Sequence, residues 1–470
     1  MASGCEGQVG TGPADLTDGI WSFQAGPSEF LWEFSTKESG ELSCLVHEIL
    51  GGKKFLETPC ESVALLGDTL VIQMPTGVGY RGVLDLSRGT VSGGLLYPGG
   101  GGPDAQFRWA PVREYPTLRS RPEGEEAYSY RPPEALDDGW PVGSPEELGV
   151  DRLALERTVS AIGSGEAGFL KSFLVVRNGT LILEEYFHEY GKSDLSPLMS
   201  CTKSVSSLLV GLAIQEGRID GEDVHLLDFF PDAREETGSG WGRLTLKHLL
   251  TMSLALDWSP EEAENLHGTG PDAFRQILAR NVVGRPGEVW QYVNMNVNLL
   301  AGVLHQATGE HAESFARRAL FEPLGITEWS WDHGRTEGFN LMDGSLRLRP
   351  RDMARLGALV LAGGSWQGRQ VVNEEWIRRS ITPHLSAGPG SEGYGYLWWT
   401  MDLPDPAGPP LRVVFANGWG SQFILVFPAQ DLVVVTTGGN QENGKHLAIG
   451  EVLVEHLLPG VGSPGDSPPK

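Results

Sequence analysis

The chain has 470 residues, with 36 lysines and arginines against 61 aspartates and glutamates, and its formal net charge is −25. Single hydrophobic cores seldom exceed about 250–300 residues, so this length predicts one large and one small domain. With 40% hydrophobic and 21% charged residues, the composition excludes global disorder. A surface this acidic repels phosphate backbones, so we expect no nucleic acid partner.

No stretch approaches the roughly 20 apolar residues that a membrane span requires. The first residues lack the basic and apolar regions of a signal peptide, so the chain as given is expected to be cytoplasmic. A periplasmic or lipid-anchored location is expected only if the N-terminus has been trimmed. The four cysteines show no C-x-x-C spacing, so no structural metal is expected. A disulfide between Cys44 and Cys60 is open, although two thiols are the commoner state in a reducing compartment.

The N-terminal part predicts a small all-β accessory domain that follows a flexible segment at 1–16. Between residues 17 and 112, short runs of alternating apolar and polar residues are separated by Gly and Pro. This patterning predicts an antiparallel sandwich or small barrel. Residues 113–143 are rich in Pro, Arg and Glu and predict an irregular linker.

A larger domain is predicted over residues 144–458, before a disordered tail at 459–470. It opens with a periodic helix over 151–163, and two β runs joined by Asn178-Gly179 follow as a hairpin. Broken helical segments come next, and β patterning then returns before a final amphipathic helix. The order predicts an α/β (α+β) domain: one antiparallel sheet built from both ends of the domain, flanked by helices, with a mostly helical insertion.

The segment Ser200-Cys-Thr-Lys203 begins a predicted helix that ends at Gly217. Residues three apart share a helix face, so Ser200 Oγ and Lys203 Nζ can meet, and the positive helix end stabilises negative charge on the serine. This arrangement is a nucleophile with an adjacent base. The motif alone is weak because Ser467-Pro-Pro-Lys470 repeats it. The structural alternative is that Ser200 caps the helix while Lys203 reaches solvent.

Tyr292 and Asn294 form the only Tyr-x-Asn in the chain. A Ser/Lys pair followed by Tyr-x-Asn in this topology resembles the serine β-lactamase and penicillin-binding-protein superfamily, in particular the class C β-lactamases and related esterases and amide hydrolases. The resemblance covers about residues 140–458. Further segments that read like family segments are 198–204, 244–252, 321–326 and 349–357.

The resemblance implies a serine hydrolase that needs no metal or organic cofactor. Ser200 is expected to form an acyl-enzyme, and Lys203 and Tyr292 are expected to share the proton transfers. Asn294 is expected to hydrogen-bond either Lys203 or a substrate amide.

The third motif of the family, Lys-Thr-Gly or a variant, corresponds by position to Ala416-Asn417-Gly418, which lacks the lysine. In the β-lactamases this lysine helps to hold the substrate carboxylate, so its absence shifts the expected substrate from β-lactams to esters or linear amides. The oxyanion hole is expected to use the backbone N–H groups of Ser200 and Trp419. A plain type I′ turn at Asn417-Gly418 is a compatible alternative.

The expected function is therefore that of a carboxylesterase-like serine hydrolase acting on a small ester or amide. An amide or peptide hydrolase for D-amino-acid peptides or oligoamides, a β-lactamase and a non-catalytic penicillin-binding-like sensor stay open as alternatives. The oligomeric state is not indicated. No chemistry is assigned to four further residues, which we interpret as a buried spacer (Cys201), a structural helix residue (His248), a surface residue (His188) and a turn or cap residue (Asp257).

Overall fold

The computed structural model describes residues 15–17, 19–25, 27–37, 39–97, 100–111, 128–259, 262–263, 273–333, 338–388, 393–405, 408–440 and 445–462. The predicted flexible N-terminus up to residue 14, the linker from 113 to 127 and the tail from residue 463 lie outside them. Among the described helices, none has the length and apolar character needed to cross a membrane.

Nine antiparallel strands form one sheet in the N-terminal part, as the all-β prediction requires. The strands are β1 (Ile20–Ala25), β2 (Ser28–Thr36), β3 (Leu42–Leu50), β4 (Lys53–Pro59), β5 (Ser62–Leu66), β6 (Thr69–Gln73), β7 (Gly79–Asp85), β8 (Thr90–Tyr97) and β9 (Gly100–Ala110). Their order across the sheet is β4-β3-β2-β1-β9-β8-β7-β6-β5.

This sheet closes into a barrel, because its two outer strands are adjoining parts of the chain. Only Cys60 and Glu61 separate β4 from β5. The Cys60 N–H donates to the carbonyl of Cys44 in β3, and the Glu61 N–H donates to the carbonyl of Gln73 in β6. Pairing with β3 thus passes directly into pairing with β6, and one cavity is lined by residues from eight of the nine strands, so the sheet curves into a barrel and not a sandwich.

One end of the barrel is closed by a compact apolar core. Trp21 and Leu70 are fully buried there, and the Trp21 indole N–H donates to the carbonyl of Leu16, ahead of β1, at 2.9 Å. Cys44 and Cys60 form a disulfide at the same end, which is one of the two states that the sequence left open. The closeness of the two cysteines follows from the way β4 bends into β5.

A second sheet of eight strands lies in the larger part, in the order β11-β10-β22-β21-β20-β19-β18-β17. The strands of this part are β10 (Leu170–Arg177), β11 (Thr180–Tyr186), β12 (Ser196–Pro197), β13 (Trp329–Trp331), β14 (Leu346–Leu348), β15 (Ser365–Trp366), β16 (Arg369–Gln370), β17 (Leu385–Ser386), β18 (Gly393–Tyr394), β19 (Trp399–Leu403), β20 (Leu411–Gly418), β21 (Gln422–Phe427) and β22 (Leu432–Gly438). Because β10 pairs with β22, both ends of the domain build this sheet, as predicted.

Helices cover the sheet and form most of the segment between β11 and β17. They are α1 (Arg152–Gly163), α2 (Cys201–Gln215), α3 (Leu246–Leu250), α4 (Ala273–Leu278), α5 (Asn294–Val297), α6 (Leu299–Thr308), α7 (Ala312–Ala316), α8 (Glu322–Leu324), α9 (Pro350–Leu361), α10 (Glu374–Ser380) and α11 (Ala448–Val452). The predicted hairpin is also present, with positive φ angles of 48° at Asn178 and 69° at Gly179.

The barrel contacts the larger part through β4. The Glu57 N–H donates to the Gly439 carbonyl at 3.2 Å, and the Tyr190 hydroxyl donates to the Lys54 carbonyl at 2.8 Å. Lys171 is buried at this contact, with its Nζ 4.7 Å from the ring centroid of Phe55. Strand β4 therefore lines the inside of the barrel with one face and contacts the larger part with the other.

The described end of the predicted linker also packs on the larger part. The Tyr130 hydroxyl donates to the Ile182 carbonyl at 2.9 Å, and the Trp140 side chain is buried in the core. His188, which follows the hairpin, has only 7% of its surface exposed, and its ring meets Phe169 edge-on at 4.6 Å. The interpretation of His188 as a surface residue is therefore wrong.

Candidate active site

Ser200 stands in a tight turn immediately before α2. The preceding Met199 has a positive φ of 47°, and Ser200 itself has helical backbone angles. Its side chain makes no capping hydrogen bond to the helix. The hydroxyl is therefore free for other contacts at the positive end of a 15-residue helix.

Lys203 is buried and aimed at this hydroxyl. Its side chain lies one turn along α2, is 2% exposed and places Nζ 2.8 Å from Ser200 Oγ. Lys203 Nζ also donates to the backbone carbonyl of Asp343 at 2.6 Å. This geometry excludes the structural alternative of a capping serine and a solvent-exposed lysine.

Tyr292 brings a phenol ring to the same lysine. Lys203 Nζ lies 5.1 Å from the ring centroid of Tyr292. Trp290 and Trp399 hold this ring in place, with centroids 5.9 Å and 5.8 Å from it. The three predicted catalytic side chains are thus brought into one cluster by elements that are distant in the sequence.

Asn294 begins helix α5 two residues after Tyr292. Its Oδ1 atom is buried and has no hydrogen-bond partner among the described residues. Lys203 Nζ contacts Ser200 Oγ and the Asp343 carbonyl, and among the described residues it forms no hydrogen bond with Asn294. An unpaired buried amide oxygen is costly, and a substrate N–H is a suitable partner for it.

The segment Ala416-Asn417-Gly418 forms the end of β20 and lies directly beside the nucleophile. A Cβ atom on Gly418 would lie 2.2 Å from the Leu198 carbonyl oxygen and 3.2 Å from the Cys201 amide nitrogen. Only a glycine allows the strand to approach the Ser200 turn this closely. The third-motif position predicted from the sequence therefore lies at the candidate site.

The turn after β20 does not lie at Asn417-Gly418, where a type I′ turn was the alternative. Asn417 and Gly418 are paired strand residues, opposite Phe423 and Gln422. The chain reverses after Trp419, and the positive φ angles are 83° at Gly420 and 69° at Ser421. The turn reading of Asn417-Gly418 is therefore wrong, because the strand continues through both residues.

An apolar groove of about 610 Å³ extends from this strand to the C-terminal helix. Trp399, whose ring packs on that of Tyr292, lines this groove. Asn417 lines it from the face of β20 opposite to Gly418, and its Oδ1 atom is buried without a partner among the described residues. Further lining residues are Phe415, Phe423, Leu453 and Val454. Apolar walls with a few unpaired polar atoms are typical of sites that bind small molecules.

Several site residues carry no signal in the sequence. Asp343 contributes a backbone carbonyl, which any residue type supplies. Trp399 and Tyr394 belong to short strands, and their rings pack edge-on at 5.0 Å. Burial, with a smaller contribution from nearby Tyr292, raises the pKa of Tyr394 well above its ordinary value and keeps its phenol protonated. An excess of aromatic residues near Tyr292 and at 394–399 was a possible signal for this wall.

Three residues that received no chemistry have structural contacts. Burial raises the pKa of the Cys201 thiol, which donates to the Gln422 carbonyl. His248 accepts a hydrogen bond from the Thr245 N–H in a capping box, and Asp257 accepts one from the Asn281 N–H at 3.0 Å. Within the described residues, no group of three His, Cys, Asp or Glu side chains is placed to hold a metal ion.

Relatives with curated names match part of the chain. A 6-aminohexanoate-dimer hydrolase of Paenarthrobacter ureafaciens is 26% identical over 253 residues, which are 48% of this chain and 63% of that protein. A putative penicillin-binding protein of Bacillus subtilis is 26% identical over 172 residues, 34% of this chain and 41% of its own length. The chain thus spans less than two thirds of each of these relatives.

Solved structures share the fold. A putative 6-aminohexanoate-dimer hydrolase from Bacillus anthracis superposes with a TM-score of 0.52 at 20% identity and covers 61% of this chain and 78% of its own. EstCE1, a hydrolase with promiscuous acyltransferase activity, gives 0.51 at 15% identity, covering 66% and 98%. The family model described as Beta-lactamase matches residues 166–449, more than half of the chain. The protein therefore belongs to the Beta-lactamase family, whose members include the serine β-lactamases and penicillin-binding-protein-like hydrolases.

Proposed function

We propose that the protein is a carboxylesterase-like serine hydrolase that forms an acyl-enzyme on Ser200. The observation that carries this proposal is the 2.8 Å distance between Lys203 Nζ and Ser200 Oγ at the start of a buried helix. A nucleophile with a base within hydrogen-bond reach is the arrangement that covalent catalysis requires.

In the proposed acylation step, Ser200 Oγ attacks the substrate carbonyl carbon while its proton passes to the Lys203–Tyr292 pair. The Asp343 carbonyl accepts one N–H of Lys203 and so holds Nζ beside Ser200 Oγ. The negative oxygen is stabilised by the N–H groups of Ser200 and Trp419 and by the helix end. The pair then protonates the leaving oxygen as the ester C–O bond breaks.

In the deacylation step, water attacks the acyl carbon and gives its proton to the same pair. Collapse of the tetrahedral intermediate returns a proton to Ser200 Oγ and releases the acid. The two groups act as a coupled unit, so the resting proton belongs to the pair and not to one residue.

Esters are favoured over β-lactams by the third motif and by the groove. The segment Ala416-Asn417-Gly418 offers no lysine for a substrate carboxylate. The groove beside Asn417 is lined mainly by apolar side chains, which suit an alkyl or aryl group of the substrate.

A linear amide is the second candidate substrate class. The unpaired Oδ1 atoms of Asn294 and Asn417 accept hydrogen bonds, and an amide N–H donates one whereas an ester has no N–H to donate. A relative named as a 6-aminohexanoate-dimer hydrolase supports this candidate.

The proposal is tested by turnover of 4-nitrophenyl esters, a D-amino-acid anilide, a linear oligoamide and a chromogenic cephalosporin. We expect turnover of short-chain esters, little or none of the cephalosporin, and no turnover by Ser200→Ala. A fluorophosphonate probe should label the Ser200 peptide in the native chain. Turnover that survives Ser200→Ala, or labelling at another serine, would contradict the mechanism. Efficient cephalosporin turnover without esterase activity would overturn the substrate class alone.

A further inference from the structure

The barrel contains a cavity of about 490 Å³ that is separate from the candidate active site. Its floor is aromatic: Trp32 and Phe107 stack with centroids 3.7 Å apart, and Tyr80 meets Trp32 edge-on at 5.0 Å. These three rings are buried. The Tyr80 hydroxyl points into the wall, where it donates to the Ala105 carbonyl at 3.1 Å. The floor therefore presents ring faces and edges to the cavity, and no unsatisfied hydroxyl.

The cavity opens at one end of the barrel. Its outer residues come from the ends of β1, β3 and β8 and from the β6–β7 connection. At this rim Thr76 is exposed and Tyr97 is 47% exposed. Gly79, without a side chain, also faces the cavity. Small closed barrels of about eight strands commonly hold one small ligand in this position.

A single carboxylate lies on the cavity wall. Glu48 is half-buried and accepts a hydrogen bond from the Ser28 hydroxyl at 2.6 Å. Among the described lining residues there is no lysine, arginine or histidine to balance it. A half-buried carboxylate without a counter-ion favours a cation, and the neighbouring aromatic rings favour the same charge.

We propose that the barrel is a binding site for an elongated apolar molecule that ends in a protonated amine. The apolar part occupies the aromatic floor, and the ammonium group lies between Glu48 and the rings. Carboxylate-ended amphiphiles are rejected because they would place a second negative charge beside Glu48. This site is independent of the acyl-enzyme chemistry proposed for Ser200.

The test uses the full chain and a fluorescent apolar probe, N-phenyl-1-naphthylamine, displaced by decylamine, decanol or decanoate at neutral pH. We expect decylamine to compete at least about tenfold better than decanol, and decanoate to compete least. Glu48→Gln should weaken decylamine to the level of decanol and leave decanol unchanged. The matched control Glu41→Gln removes an exposed carboxylate of the same strand region and should leave the order unchanged.

Location is tested by filling each cavity. The double variant Ala25→Trp/Thr58→Trp narrows the barrel cavity and should weaken probe binding at least tenfold, whereas Leu66→Trp on the exposed face of β5 should not. Gly450→Trp fills the groove near the C-terminal helix and should leave probe binding intact. Decanoate binding as tightly as decylamine, or binding lost in Gly450→Trp and kept in the double variant, would overturn the proposal. If the double variant does not fold, Glu48→Gln still tests the role of the carboxylate and Gly450→Trp still tests whether the probe binds in the groove.

Discussion

The barrel and the larger part of the chain, here called the hydrolase domain, bury their ionisable groups in opposite ways. In the hydrolase domain a buried lysine points inward to Ser200, at the end of a core helix. In the barrel, Lys54, Glu57 and His47 form a buried ion-pair network on the outer face, where β4 contacts the hydrolase domain. The barrel interior holds aromatic and aliphatic side chains around a cavity. We therefore propose that the buried ionisable groups serve chemistry in the hydrolase domain and attachment in the barrel, and the following predictions test the two roles separately.

The largest effect is expected from the proton-transfer pair. Lys203→Ala and Tyr292→Phe should each lower kcat for an activated ester by ~10²–10⁴, the usual contribution of a general acid–base group. Their combined effect should be far smaller than the product of the two single effects, because we propose that the two residues act as a unit. Steady-state ester assays measure kcat. The control is Lys37→Ala, which removes an exposed ion pair of the barrel. If the double variant lost as much activity as the product of the two single effects, the shared role would be refuted. Unchanged decylamine binding in these variants would confirm that the barrel and the active site act separately.

The disulfide should stabilise the barrel and not the catalytic cluster. Cys60→Ser removes a crosslink between residues 16 positions apart, which should cost about 3 kcal/mol of barrel stability. Urea unfolding followed by barrel tryptophan fluorescence measures this, and the ester kcat should stay within about twofold. A reducing agent should destabilise the native chain and have no effect on Cys60→Ser. Loss of ester turnover without unfolding would show that the disulfide also supports the catalytic cluster.

The attachment of the barrel should weaken in acid. Burial of Glu57 opposes its ionisation, but the His47 ring, 3.5 Å from its carboxylate, and the charge of Lys54 outweigh burial and lower the Glu57 pKa to about 2. A depressed carboxyl pKa gives stability that is present above its unfolded value near ~4.5 and is lost as the pH falls toward 2. Glu57→Gln should therefore cost about 2–3 kcal/mol at pH 7 and clearly less at pH 3. Urea unfolding at several pH values measures the difference.

The matched control for this pH dependence is Glu61→Gln, an exposed carboxylate two residues beyond β4. Its effect on the free energy of unfolding should be within about 0.5 kcal/mol at every pH. If Glu57→Gln and Glu61→Gln showed the same pH profile, the network on the outer face would not be the source of the acid sensitivity.

The smallest effect is expected from removing the barrel. We propose that a chain beginning at Tyr128 folds and keeps Ser200 reactive, with kcat/KM for a short ester changed by less than about fivefold. Starting near residue 141 should be worse, because Trp140 is buried in the core and meets Trp366 edge-on at 5.1 Å. Fluorophosphonate labelling and ester kinetics of the two fragments measure this. A fragment from Tyr128 that is folded but unreactive would show that the barrel shapes the active site.

Much of the fold and the centre of the site could be predicted from local patterns in the sequence. Asn178-Gly179 predicts its hairpin because both residues tolerate positive φ. The spacing of Ser200 and Lys203 predicts their contact, since residues three apart lie on one helix face. Alternating apolar residues predict the N-terminal strands in the same way. Each of these features is settled within a few neighbouring residues.

Other features were decided only by the tertiary structure, because they depend on segments far apart in the chain. The Asp343 carbonyl reaches Lys203 across 140 residues, and a backbone carbonyl leaves no mark on the sequence. His188 is buried by Phe169, and the continuation of β20 through Gly418 depends on how closely it packs against Leu198. The Cys44–Cys60 disulfide follows from closure of the barrel. Local preferences fix single elements, whereas these contacts form only when the sheets and helices have been brought together.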